Sequence, residues 1–151
     1  MTRFRTNTDL GLAVLRVITG TIFVAHGAQK LFVYGLDGVA GGFAQMGVPF
    51  PAVVGPMVGL LEFFGGLALI IGLLTRLAGV GLAINMLGAF LIVHLPAGFF
   101  LPNGYEFVML LAASTSALAL AGAGRYSIDA LIGRRRAPVL VAQPRELRRA
   151  A

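Results

Sequence analysis

Six side chains in this sequence can move protons or hold a polar ligand, and all six lie in or beside apolar stretches. His26 and Lys30 sit one helical turn apart in FVAHGAQKLF, and Arg16 lies about three turns upstream. Glu62 is the acid deepest in any apolar segment, Asn85 occupies the next segment, and Glu106 opens the last. A carboxylate in apolar surroundings is suited to taking and releasing protons, and a lysine or histidine beside it can donate a hydrogen bond to a carbonyl oxygen. Each group also has a purely structural reading. Lys30 and Arg16 can snorkel to the two interfaces, and His26 can bond a backbone carbonyl. His94, beside Pro96, can sit at an interface, and Glu106 can serve only to start a helix.

Spacing decides where these groups point. On a helix, Arg16, Lys30 and, at the stripe's edge, His26 share a face with Gly20 and Gly27, because residues three and four apart are neighbours. Gly55, Gly59, Glu62 and Gly66 form one stripe, and Gly81, Asn85 and Gly88 form another. Glycine faces are where membrane helices approach closely. The charges are therefore expected to face the interior. By depth, His26, Lys30, His94 and Glu106 fall near one mouth, and Glu62 lies about 12 Å in. Asn85 and Arg16 lie nearer the other end. The expectation is a buried polar column in which Glu62 and Glu106 are the counter-charges of His26 and Lys30.

The elements that must carry these groups are apolar and long. Of 151 residues, 58% are hydrophobic and 12% charged, with a mean hydropathy of +0.88. A soluble domain is nearer a quarter charged, so this is the composition of an integral membrane protein. Apolar segments are expected at Leu10–Phe32, Ala52–Leu74, Leu77–Leu95 and Tyr105–Gly122, each long enough to cross a hydrocarbon core. The fold class is all-α, an antiparallel four-helix membrane bundle. Residues 1–9 read as a tail and 10–126 as the four-helix domain. Residues 127–151 read as a short amphipathic helix followed by a basic disordered segment. Ser127 is expected to cap that helix, which runs to Ile132 and ends at Gly133. The segment AGGFAQMGV, between the first two spans, reads as a short helix on the bundle mouth.

Arginine and lysine placement sets an orientation. Arg3, Arg5, Arg76 and the seven arginines from Arg125 onward fall on one side, which is expected to be cytoplasmic with both termini. No cleavable signal peptide is expected, since Arg16 interrupts the first apolar run. The basic tail beside an oily bundle reads as meeting anionic lipid rather than nucleic acid. With no cysteine, disulfide exchange and thiolate metal sites are excluded. No Walker loop or dinucleotide fingerprint is present, and the histidines lack metal-ligand spacing, so no metal is expected.

The elements HGAQKLF, GVPFP, LEFFGGLALIIGLLTRLAG, PAGFF and GYEFVMLLAASTSALALAGAGRYSID, in this order, resemble the DoxX family of bacterial membrane proteins. The resemblance spans Leu10 to Ile132 and implies a four-helix inner-membrane bundle. It places His26, Lys30, Glu62 and Glu106 at the family's polar positions. It also implies links to membrane oxidoreductase complexes, to oxidative-stress defence and to a thiosulfate:quinone oxidoreductase. The expected function is thus a membrane subunit of a quinone-linked oxidoreductase complex with a protein partner. Glu62, His26, Lys30 and Glu106 would be the catalytic groups, and His26, Lys30, Glu62, Asn85 and Arg16 would hold the quinone. The alternatives are a non-enzymatic adaptor or assembly factor, and a solute or proton pathway that would require a homo-oligomer.

Overall fold

The computed structural model describes residues 2–136, and the side chains of residues 7–133. The expected disordered basic segment from residue 137 and the side chains of Arg3 and Arg5 lie outside that range.

The described chain is helical throughout, with turns between helices. Helix α1 (Thr2–Ala28) passes through a π-helical segment, Gln29–Tyr34, into α2 (Gly35–Gln45). Helix α3 spans Pro51–Ile71 and α4 spans Thr75–Ala89, which widens into a second π segment, Phe90–His94. Helix α5 is Glu106–Ala121 and α6 is Ile128–Arg136. Three helical stretches, 7–45, 51–71 and 75–97, are long and apolar enough to cross a membrane, and α5 is a shorter apolar helix.

Two expectations change. The first helix begins at Thr2 rather than near Leu10, so residues 2–9, read as a tail, are helical. Asp9 anchors this extension, its Oδ1 accepting the Arg125 N–H at 3.0 Å. The last helix is capped as expected, with Ser127 Oγ accepting the Ala130 N–H at 3.1 Å, but it runs past Gly133 to Arg136. A glycine inside a helix costs about 1 kcal/mol and does not by itself end it. The mouth helix is found as α2, which buries Val39 against Gly55 of α3.

Glycines set the distance between neighbours. A Cβ on Gly20 would meet Gly66 O at 2.7 Å, and one on Gly66 would meet Gly20 O at 2.7 Å. Gly27 lies against the Phe63 backbone in the same way. Helices α1 and α3 therefore touch backbone to backbone, and Gly79 brings α4 equally close to Thr115 and Ala119 of α5. The core filling the rest is Phe23, Leu69, Leu82, Met86, Val108, Leu111 and Leu118.

The polarity is inverted relative to a soluble protein. Arg16 and Glu62 are 3% and 4% exposed, while Ile18, Phe64, Leu77, Ile84 and Leu110 lie open on the outer surface. That surface suits acyl chains, and the charges are turned inward, away from it.

Candidate functional site

The α3–α4 turn and the α5–α6 connection form one end of the molecule, and a polar clasp holds it. Arg16 Nη1 donates to Leu69 O at 3.0 Å and Ile70 O at 2.9 Å, carbonyls of the last turn of α3, of which Leu69 O also accepts the Gly72 N–H at 3.2 Å. Its Nη2 donates to Tyr126 O at 2.5 Å. Asp129, from α6, caps α4 by accepting the N–H groups of Leu74 at 2.8 Å and Thr75 at 3.0 Å. Gly72 (φ +70) closes the turn, and a Cβ there would strike the Arg16 guanidinium. Arg16 is therefore a staple between α1, the α3 C-terminus and the 122–127 connection, outside the cavity described next. This corrects its expected place in the polar column. Its two terminal nitrogens reach three backbone acceptors, while Nε is buried without a partner among the described residues.

At the opposite end, α1, α3, α4 and α5 diverge around a cavity of about 560 Å³. Phe43, Met46 and Val48 cover it from one side, and Leu101, Pro102 and Gly104 from the other. Three helices converge on Glu62 in its wall. Lys30 Nζ, from the π segment after α1, lies 2.5 Å from Oε2, and Asn85 Nδ2, from α4, donates to Oε1 at 3.1 Å. The side chains of Lys30 and Glu62 are 19% and 5% exposed. A π turn widens the helix and swings Lys30 inward; such turns are frequent at functional sites. Gly59, against the Lys30 Cβ position, leaves room for that swing.

Two histidines complete the wall. His26 packs its ring 6.4 Å from Phe107 and makes no hydrogen bond among the described residues. His94, in the second π segment, has Nδ1 2.9 Å from Asn103 O. A carbonyl only accepts, so Nδ1 carries the proton and Nε2 of the neutral ring is left as an acceptor. From sequence His94 reads as an interfacial residue at the mouth; the fold puts it in the cavity wall. Its position one turn beyond Phe90, after the Gly81/Asn85/Gly88 stripe, was the available signal.

Glu106 is not part of the cavity wall. Its Oε1 accepts the Leu101 N–H at 2.8 Å, which fixes the loop that covers the cavity. The expected Glu106 counter-charge is thus a loop anchor, and Glu62 alone balances Lys30. The structure brings together His26, Lys30, Glu62 and Asn85, adds His94, and leaves out Arg16 and Glu106.

Paired charge buried inside a largely apolar, open-mouthed cavity, within helices clothed in exposed aliphatic side chains, defines a membrane protein with an intramembrane polar site. The DoxX family model matches residues 11–95, and the chain belongs to the DoxX family. It is 36% identical over 125 residues to CatD of Bacillus subtilis, provisionally named an oxidoreductase, covering 82% of this chain and 88% of that one. It is 36% identical over 131 residues to the inner membrane protein YqjF of Escherichia coli, covering 84% and 95%. A Mycobacterium tuberculosis membrane protein is 32% identical over 132 residues, covering 80% of each chain. No solved structure matches.

Proposed function

We propose that this chain is a multi-pass inner-membrane subunit of a quinone-linked oxidoreductase complex, and that the cavity takes the quinone ring. In this reading α5 is the fourth span, shorter than the others and accommodated by local thinning of the bilayer. Both termini lie in the cytoplasm with Arg76, Arg125 and the basic tail, and the cavity opens toward the other face. The name of CatD and the inner-membrane designation of YqjF point the same way.

The observation that carries the reading is the Lys30–Glu62–Asn85 group on the wall of an apolar cavity. Its volume lies in the range of small-molecule sites. The Lys30 and Glu62 charges cancel, so the cavity favours an uncharged ligand with an apolar body. Reducing a quinone to quinol takes two electrons and two protons. The sequence carries no haem, flavin or iron–sulfur motif, so the electrons come from a redox-active partner protein. The protons pass through Glu62, with Lys30 and His26 donating hydrogen bonds to the carbonyl oxygens. His94 Nε2 can accept from a quinol hydroxyl.

Glu62→Gln tests this. The amide keeps the size and the Asn85 side of the network but cannot carry a proton. Quinone binding to the purified chain should persist within a few-fold. Turnover of the native complex should fall by about 10²-fold or more, the usual scale of a lost acid–base group. A wild-type chain that binds no quinone would sink the reading. The adaptor reading is favoured by Phe32, Phe50 and Phe100, all open at the cavity end. It predicts a stoichiometric partner in native membranes and no bound isoprenoid.

A further inference from the structure

A second concave site lies at the clasp end, far from the cavity. A groove of about 520 Å³ is lined by Leu74, Arg76, Leu77, Gly122, Ala123 and Gly124, among others. Arg76 lies against the loop backbone: a Cβ on Gly122 would stand 3.4 Å from its Nε and 3.6 Å from its Nη2. Gly122 (φ +84) and Gly124 (φ +72) give the loop the left-handed turns that bring its backbone to that guanidinium.

Among the described residues, Arg76 makes no hydrogen bond and no ion pair. The acid in the groove, Asp129, is already engaged through both oxygens by the Leu74 and Thr75 N–H groups. Arg16 is likewise committed to carbonyls. Ala123 is 7% exposed, and its N–H finds no acceptor among the described residues. Buried backbone donors are nearly always satisfied, so this N–H, in a residue lining the groove, is open to an acceptor from outside the chain. Arg76 and Ala123 line the same groove, and a free guanidinium with a backbone donor is chemistry that can recognise a phosphate.

We propose that this groove binds the phosphate of an anionic phospholipid. The phosphodiester would take the Arg76 guanidinium and the Ala123 N–H. Leu74 and Leu77, 59% and 68% exposed beside it, would take the start of an acyl chain. A free inorganic phosphate would leave those leucines unused. The groove lies where α3 ends and α4 begins, at the level where spanning helices meet headgroups. The proposal does not depend on the side of the membrane or on the quinone reading.

The full-length chain in detergent is titrated with phosphatidylglycerol, phosphatidylcholine and sodium phosphate. Thermal unfolding and the retained lipid, read by native mass spectrometry, are followed. Phosphatidylglycerol should raise the melting temperature by several degrees and remain bound at one per chain, while the other two do not. Arg76→Gln should weaken that retention about tenfold or more, the scale of a lost charge-assisted hydrogen bond. Arg76→Lys, which keeps the charge, should fall between. Equal stabilisation by inorganic phosphate, or by phosphatidylcholine, would overturn the anionic-lipid assignment. So would undiminished retention by a folded Arg76→Gln chain. The first comparison uses only the wild-type chain, so it decides the matter even if the variants unfold.

Discussion

At the scale of single residues, Lys30 and Glu62 depend on each other. Removing one partner of a buried pair leaves an uncompensated charge, at a cost of roughly 3–5 kcal/mol, whereas replacing both by apolar groups of similar size is often near neutral. Lys30→Met should therefore lower the melting temperature sharply in detergent, because Glu62 keeps only Asn85 as a partner. The double variant Lys30→Met/Glu62→Leu should recover most of that loss while losing the site's chemistry. A double variant no more stable than the single one would show that the pair is not buried as described. Arg16 behaves differently, since its partners are backbone carbonyls and no acid is freed when it is removed.

At the scale of elements, glycine contacts and caps decide which helices can pack. Gly27 and Gly88 look alike in sequence, each on a polar stripe of an apolar helix. A Cβ on Gly27 would run into the Phe63 backbone, while one on Gly88 meets nothing within 4 Å and faces the cavity. Gly27→Leu should separate α1 from α3 and lower the yield of folded chain. Gly88→Leu should fold, and should weaken any cavity ligand by filling its space. Equal stability of the two variants, compared by thermal melting, would contradict the packing described. Asp129→Ala should destabilise by about 1–2 kcal/mol, since one carboxylate caps two N–H groups of the α3–α4 turn. It also releases Leu74, a non-glycine residue held at φ 49.

At the scale of the whole molecule, the distribution of charge sets orientation. A chain without cysteine accepts single reporters cleanly. Phe100→Cys, at the cavity end, should react with an impermeant maleimide in intact cells. Tyr126→Cys, at the clasp end, should react only after permeabilisation. The reverse pattern would invert the proposed topology. Both side chains are exposed; Phe100→Cys gives up only an edge contact with Phe99.

Composition and spacing determined a great deal. An apolar chain with few charges has no means of covering its own surface in water, so membrane residence was legible. The glycine stripes at Gly20/Gly27 and Gly59/Gly66 told which faces meet, because only small residues let helical backbones touch. That logic also placed Lys30, Glu62 and Asn85 on inward faces. Which of several candidate partners each charge takes was a matter of tertiary geometry. By depth Glu106 lay nearer Lys30 than Glu62 did, and both were candidate counter-charges; the fold gave Lys30 to Glu62, with the helix widened at Gln29–Tyr34. Arg16 shared its stripe with Lys30, yet it lies beside the last turn of α3, and the carbonyls there captured it. Helical period fixes the direction in which a side chain leaves its helix. The three-dimensional placement of other helix ends and loops fixes what it finds there.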